Sequence, residues 1–245
     1  MAITVMQRYE MKYLLDGRQT GFLRRRLEGR MKIDEFGRTS IASLYYDTPD
    51  SRLIRASVEK PAFKEKIRLR SYGLASEDSP VYLELKRKCD GVVYKRRVQS
   101  TIPEVSRFFE GGELTGGDAQ IRKEIAYFRD RYETLAPACL IIYDREAYFE
   151  PGGDLRLTID YRPRYRTKGL TLTESMEGLP LLPAGWSILE IKVQGAMPLW
   201  LSAALSEGSI FKSSFSKYGE AYRQEILKAR DNTVEFAAPK LLGVA

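Results

Sequence analysis

Four cations recur at alternate positions in Lys64-x-Lys66-x-Arg68-x-Arg70, with Ile67 and Leu69 between them. Alternate side chains of an extended strand share a face, so this row sets its charges on one side and its apolar groups on the other. The same parity recurs along the chain. Glu10 and Lys12 oppose Tyr9, Met11, Tyr13 and Leu15; Glu84, Lys86 and Lys88 oppose Val81, Leu83 and Leu85; Lys95 falls with Arg97. Arg145 falls beside Tyr143; Arg156, Thr158 and Asp160 oppose Leu155, Leu157, Ile159 and Tyr161; Glu190 and Lys192 oppose Leu189, Ile191 and Val193. Taken singly, each charged face could meet water, as one side of an antiparallel sheet often does. Taken together they do not interleave signs as solvated faces do, and like charges opposite one another across a ladder repel. Adjacent rows of cations are stable when an anion sits among them. The pattern therefore implies a concave polyanion site inside a barrel whose apolar face points outward onto helices.

Such a face has a narrow chemistry. Arg and Lys bind phosphate oxygens through charge-assisted hydrogen bonds. A few carboxylates among them can hold a divalent cation that bridges phosphates. Phosphoryl transfer is largely positioning and charge stabilisation, so this set suffices for it. The 245 residues contain no histidine, which rules out Ser-His-Asp and Cys-His nucleophiles, His-ligated zinc and imidazole proton shuttles. A formal charge of +7 agrees with an anionic partner without selecting one. Cys89 and Cys139 match no metal spacing, and Cys139, in Ala138-Cys139-Leu140-Ile141-Ile142, reads as a small buried hydrophobe. Without a disulfide framework a reducing cytoplasm is the expected setting. The N-terminal residues show no signal-peptide pattern, and no segment has the apolar length of a membrane span.

The elements that must position these residues are mostly strands. Alternation and β-branched or aromatic content predict strands over 5–15, 41–47, 63–72, 80–88, 92–99, 138–149, 154–161 and 187–193. Cys89-Asp90-Gly91 joins two of them as a tight hairpin. Helices are expected over 17–30, 103–110, 119–134, 198–206 and 214–230, with a glycine-rich loop at 110–118. At 43% hydrophobic and 30% charged the chain can fill a core as one domain over 1–230, followed by a weakly patterned tail at 231–245. The class is α+β: a mostly antiparallel sheet with helices packed outside.

Eight short motifs occur in an order that resembles a known family: Arg8-x-Glu10-x-Lys12-Tyr13, Leu44-Tyr45-Tyr46-Asp47-Thr48-Pro49, Lys66-x-Arg68-x-Arg70, Leu83-Glu84-Leu85-Lys86, Tyr143-x-Arg145, Arg156-x-Thr158-x-Asp160, Leu189-Glu190-x-Lys192 and Phe215-Ser216-Lys217-Tyr218. Each is weak alone. Together, from Arg8 to Arg223, they resemble the VTC domain, the polyphosphate polymerase module of the vacuolar transporter chaperone complex and a member of the triphosphate tunnel metalloenzyme superfamily. The resemblance implies an eight-stranded antiparallel tunnel barrel with a charged lumen. It also implies transfer of the ATP γ-phosphate to a growing polyphosphate chain with manganese or magnesium. By position, Lys12, Arg68, Arg70, Lys86, Lys95, Arg145 and Arg156 look like the triphosphate-binding set, joined by Lys192, Ser216 and Lys217. Ser216 and Lys217 resemble the family pair that opens a helix at a tunnel mouth, and Glu190, with Glu10, looks like the metal carboxylate. The chain shows neither the phosphate-sensing SPX domain nor the membrane helices of the eukaryotic complex, so the resemblance implies the stand-alone bacterial arrangement, with a membrane-protein partner left open.

Hydrolytic tunnel enzymes usually open with Glu-x-Glu-x-Lys; here Arg8 takes the first Glu position, which disfavours a hydrolase. A triphosphatase or polyphosphatase in the same tunnel, and a binding module without turnover, are the alternatives. Nucleic acid is not the expected partner, since most Tyr residues are expected on the outward apolar face or seams rather than as stacking platforms. Blander roles are expected for several residues. Glu84 would pair with a neighbouring Lys or Arg, and Asp160 divides evenly between an ion pair and support of a metal ligand. Asp47-Thr48-Pro49 would end a strand, Ser216 would cap a helix, and Trp186 and Trp200 would pack.

Overall fold

The computed structural model describes residues 9–236 apart from 60 and 91. Arg8, the expected strand residues before Tyr9, Gly91 of the hairpin turn and tail residues 237–245 lie outside the described residues. In chain order the elements are β1 (Tyr9–Leu15), α1 (Gly17–Leu27), β2 (Lys32–Asp47), α2 (Arg52–Glu59), β3 (Phe63–Tyr72), β4 (Val81–Cys89), β5 (Val92–Ser100), α3 (Ile102–Phe109), α4 (Ala119–Tyr132), β6 (Ala136–Phe149), β7 (Arg156–Arg166), β8 (Leu179–Pro180), β9 (Ser187–Val193), α5 (Leu199–Glu207), β10 (Lys212–Ser213) and α6 (Lys217–Phe236).

The eight expected strands form as the eight long ones, every pair antiparallel, but the expected closed eight-stranded barrel does not. With the two-residue β8 and β10, they make one ten-stranded sheet in the order β10-β1-β9-β7-β6-β2-β3-β4-β5, with β8 on β7. The free edge of β1 is taken by β10, through Lys12↔Ser213 and Tyr13↔Lys212, so it does not meet β5. The sheet nevertheless curls. Lys12 on β1 feels the charges of Tyr45 on β2 and Lys66 on β3, although β9, β7 and β6 lie between β1 and β2 in sheet order.

Parity decides what each face packs against. On the convex side, Leu44, Ile67, Leu69, Leu83 and Leu85 meet Val105 and Phe108 of α3 and Ile125 and Phe128 of α4. At the other end of that face, Leu157, Ile159, Leu189 and Ile191 meet Leu23 and Leu27 of α1 and Leu201 and Leu205 of α5. Each fully buried Leu or Ile side chain contributes about 1.5–3 kcal/mol, which fixes the apolar face outward and leaves the charged face inward. A third apolar cluster lies on the concave side, where Ile54 of α2 and Tyr218 and Ala221 of α6 cover Tyr45, Ile141 and Tyr143.

Three local features differ from expectation. The strand expected over 41–47 begins at Lys32, and its first half holds the irregular stretch between Ile33 and Arg38 that contains no alternation to read. Helix α2 lies outside the expected helices because its cap is not in the usual place: Asp47 Oδ1 and Oδ2, at the end of β2, accept from Leu53 N at 2.8 Å and Ile54 N at 2.9 Å. Asp47 is thus a helix-holding residue as well as a strand end. Trp200 packs as expected, whereas Trp186 is 38% exposed. The Asp90 backbone has a φ of +45°, the left-handed conformation that the two-residue hairpin turn requires. Among the described residues no helix is long and apolar enough to cross a membrane.

Candidate functional site

The concave face gathers three buried or half-buried carboxylates, each surrounded by cations. Glu84 on β4 is the most heavily shared. Its Oε2 accepts from Arg68 Nη2 at 2.7 Å and lies 3.8 Å from Arg70 Nη1. Its Oε1 accepts from Lys95 Nζ at 2.8 Å and Arg97 Nε at 2.7 Å. The register explains the convergence, because Arg68 lies directly across from Glu84 on one side and Arg97 on the other. Burial would push the Glu84 carboxyl up, but Arg68, Arg70 and Lys95 outweigh it and hold the group far below the carboxylate range.

Asp160 on β7 forms the second group. Arg145, opposite it on β6, donates Nε to Oδ1 at 2.6 Å and Nη2 to Oδ2 at 2.9 Å, and Lys217 Nζ donates to Oδ2 at 2.5 Å. Burial opposes ionisation of Asp160 too, and the Lys217 and Arg145 charges reverse the effect.

The third group is Glu190 on β9, which accepts from Lys192 at 2.5 Å and lies 3.7 Å from Lys12 Nζ. Lys12 is also 3.5 Å from Glu10. Burial would raise the largely covered Glu190 carboxyl, yet Lys192, Lys12 and Arg145 hold it far below its ordinary value. Burial alone would lower the Lys12 pKa, but Glu190 and Glu10 raise it.

The start of α6 closes one end of the face. Ser216 Oγ accepts from Gly219 N at 3.2 Å, the capping expected from its type, and from Lys66 Nζ at 3.5 Å. Lys12 Nζ donates to the Phe215 carbonyl at 3.5 Å. Tyr218 stacks on Tyr45 with ring centroids 4.5 Å apart and donates to Asp47 Oδ2 at 2.9 Å. At the other end a cavity of about 610 Å³ opens, with Arg70, Arg97, Arg145 and Thr158 in its wall and Phe36 and Tyr72 among its aromatic lining.

Eleven of the twelve expected site residues therefore meet on this face: Glu10, Lys12, Arg68, Arg70, Lys86, Lys95, Arg145, Glu190, Lys192, Ser216 and Lys217. Lys86 is its exposed member, across the ladder from Lys66 and Lys95. Arg156 stands at the rim, where its Nη1 donates to the Leu155 carbonyl at 3.1 Å and its guanidinium lies over Phe149. Glu84 and Asp160 both take the ion-pair role.

Most tyrosines are expected outward or on seams and Tyr143 beside Arg145; Tyr143 lies inward as that parity implies, and Tyr45 lies inward too. The Tyr45 hydroxyl accepts from Arg68 Nη1 at 2.9 Å, and the Tyr143 hydroxyl from Arg70 Nη2 at 3.4 Å. The signal for Tyr45 is parity with Ser43, one face away from Leu44 and Tyr46, but only the β2–β3 register shows that Arg68 is its neighbour.

Burial would raise the Tyr45 phenol, but Arg68, Lys66 and Arg70 bring it down to about 8. Burial and the nearby Lys64, Lys86 and Lys12 lower Lys66, also to about 8. Above that pH the face loses an ammonium and gains a phenolate, so both changes weaken anion binding. The affinity for inorganic tripolyphosphate is expected to hold below pH 8 and to fall by up to about tenfold per pH unit above it, because the phenolate and the ammonium stabilise each other and titrate as one pair. Calorimetric titration from pH 6.5 to 9.5, in buffers chosen at roughly half-unit steps, checks this, and a flat profile contradicts it.

Whether the face suits a divalent cation can be read from its donors. Among the described residues no group of three or more Asp, Glu, Cys or His side chains is placed to hold a metal ion. Glu190 and Glu10 instead face Lys12 from two sides. One or two carboxylates completed by phosphate oxygens and water is the donor set that magnesium takes, so the residues fit an ion that arrives with the phosphate chain.

The model of the VTC domain family matches residues 7–226 of the chain. No curated protein matches it. Among solved structures, a provisionally assigned adenylate cyclase from Bacillus halodurans is 14% identical, with a TM-score of 0.53 over 84% of this chain and 92% of that one. This is a likeness of fold. A provisionally assigned adenylyl cyclase from Hippeastrum, described as having a dominant triphosphatase activity, is 16% identical with a TM-score of 0.47 over 86% of this chain and 93% of that one.

Proposed function

The chain belongs to the VTC domain family, and from that premise we propose that it is a polyphosphate polymerase, transferring the γ-phosphate of ATP to the end of an inorganic polyphosphate chain. The observation that carries this reading is the continuity of the cation row. It runs from Lys192 and Lys12 through Arg145, Lys217, Arg70 and Arg68 to Lys95 and Arg97, with an acid holding each group of cations together. A single phosphate needs two or three such donors. A linear polyanion uses the whole row.

In this reading Arg68, Arg70, Lys95 and Arg97 grip phosphate oxygens along the β3–β5 side, while Lys12, Arg145, Lys192 and Lys217 grip them along the β1–β7 side. Glu190 and Glu10 would hold a manganese or magnesium ion, which when bound neutralises charge on the phosphoryl group being transferred. Three of the concave-face acids favour a phosphate acceptor over water. Glu84, Asp160 and Glu190 are all held below the usual carboxylate range by cations, which makes them weak proton acceptors. Water must lose a proton to attack, whereas the terminal oxygen of polyphosphate arrives already ionised. The reading takes residues 1–230 as the working unit, although α6 continues to Phe236. It places the protein in the cytoplasm, where ATP is available and Cys89 and Cys139 stay as the free thiols they are here.

The test is incubation of the purified protein with ATP and manganese, followed by separation of products on gels and by ion chromatography. Long polyphosphate with ADP is the expected result. Free phosphate or tripolyphosphate alone would replace the polymerase with a hydrolase, and intact ATP that raises the melting temperature would replace it with a binding module. Glu190→Ala is expected to lower turnover by at least about 100-fold while tripolyphosphate binding persists. Retained turnover in that variant would remove Glu190 from the ion's site.

A further inference from the structure

Asp160 ties the sheet to the first residue of α6. Its side chain is 1% exposed, so a ligand on the concave face does not reach it, and whatever it does there passes through its partners. Those partners are two cations from distant parts of the chain, Arg145 on β6 and Lys217 on α6. Without the carboxylate they would repel each other. The Arg145 fork binds side-on through Nε and Nη2, which leaves Nη1 with no other bond among the described residues. Lys217 spends one of its three N–H donors on Asp160 and keeps two. Both cations also press on the Tyr143 ring: Lys217 Nζ is 4.3 Å from its centroid and Arg145 Cζ is 5.1 Å. One carboxylate and one ring thus fix the height and direction of both groups.

We propose that Asp160 is a positioning residue for phosphoryl transfer, aiming Arg145 and Lys217 as a pair at one point of the cation row. This inference rests on the chain being a polyphosphate polymerase. It makes a prediction that a purely structural role does not make. Replacing Asp160 with asparagine removes a negative charge from the face, so static binding of a polyanion should hold or tighten. The amide oxygen cannot anchor two cations, so Lys217 is released and turnover should fall, since misplacement by about 1 Å can cost about 100-fold.

The experiment compares wild type, Asp160→Asn, Lys217→Gln and the double variant in two assays, calorimetric binding of inorganic tripolyphosphate and polyphosphate synthesis from ATP. Expected for Asp160→Asn are a kcat about 100-fold lower and a Kd equal to wild type or smaller. The double variant should be little worse than Lys217→Gln, because both changes remove the same aim. A kcat within about threefold of wild type, a parallel loss of binding and kcat, or full additivity would each overturn the proposal. Asp160→Glu keeps the charge and shifts the anchor by one methylene; it covers failure of the asparagine variant to fold. It should show the same split of kcat from Kd, and wild-type kcat there would also overturn it. If wild type itself makes no polyphosphate, the polymerase reading has failed. Asp160 is then judged on binding alone, where weakened tripolyphosphate binding in Asp160→Asn counts against it.

Discussion

Glu84→Gln is expected to lower the melting temperature sharply, and tripolyphosphate is expected to restore more of it than the same addition gains for wild type. The carboxylate is 1% exposed and serves Arg68, Arg70, Lys95 and Arg97. Removing it leaves four cations facing one another across neighbouring strands. Breaking a buried ion pair from one side costs about 3–5 kcal/mol. The lower figure applies here, because the Lys95 and Arg97 side chains are 45% and 36% exposed and water partly relieves them. For a chain of this size that corresponds to a fall of about 6–12 °C. A bound polyanion supplies the missing negative charge, so the rescue separates this site from an ordinary structural salt bridge. Differential scanning fluorimetry with and without tripolyphosphate reads both quantities, and a variant that melts like wild type would remove Glu84 as the organiser of the β3–β5 cations. The pH dependence has a definite sign. The Glu84 carboxyl is depressed in the folded chain. Its contribution is therefore complete above the unfolded value of about 4.3 and is lost only as pH falls below that toward the folded value.

Arg70→Met should weaken tripolyphosphate binding by roughly 10- to 100-fold, the equivalent of one or two charge-assisted hydrogen bonds. Arg70 sits between the groups organised by Glu84 and Asp160. It is 6% exposed, lies 3.8 Å from Glu84, donates to Ser43 Oγ at 3.3 Å and the Tyr143 hydroxyl at 3.4 Å, and lines the cavity at the open end. Arg70→Lys keeps the charge but loses the planar fork and should recover only part of the loss. Arg156→Met is the contrast. Its guanidinium is engaged at the rim by the Leu155 carbonyl and Phe149, so its loss should change affinity by no more than about threefold. Calorimetric titration of the three variants decides the matter. Unchanged affinity in Arg70→Met would sink the polyanion site itself, and with it the polymerase, hydrolase and sensor readings together.

Much of this site could be read from residue order alone. Alternation in β1, β3, β4, β7 and β9 assigned Lys12, Arg68, Arg70, Glu84, Asp160 and Glu190 to the face opposite the aliphatic residues, and burial of those aliphatics under α1, α3, α4 and α5 bears that out. The reason is that side-chain direction in a strand has a period of two and depends only on local backbone geometry. The eight motifs in order likewise pointed to the VTC domain family without knowledge of a single contact.

What order alone did not decide is which groups meet. That Glu84 serves four cations depends on the β3–β4 and β4–β5 registers. That Lys217 reaches Asp160 depends on where α6 is docked, which Tyr218 settles by bonding to Asp47 at the end of β2. The inward place of Tyr45 was hidden for the same reason: a phenol suits an apolar surface or a hydrogen-bonded polar one equally well, and only its neighbour Arg68 distinguishes them. Closure of the sheet was a non-local question as well, answered when two residues of β10 took the edge of β1. Parity is written into each strand by its own backbone, whereas register, helix docking and edge pairing are chosen by contacts between segments far apart in the chain, whose free energies no local pattern contains.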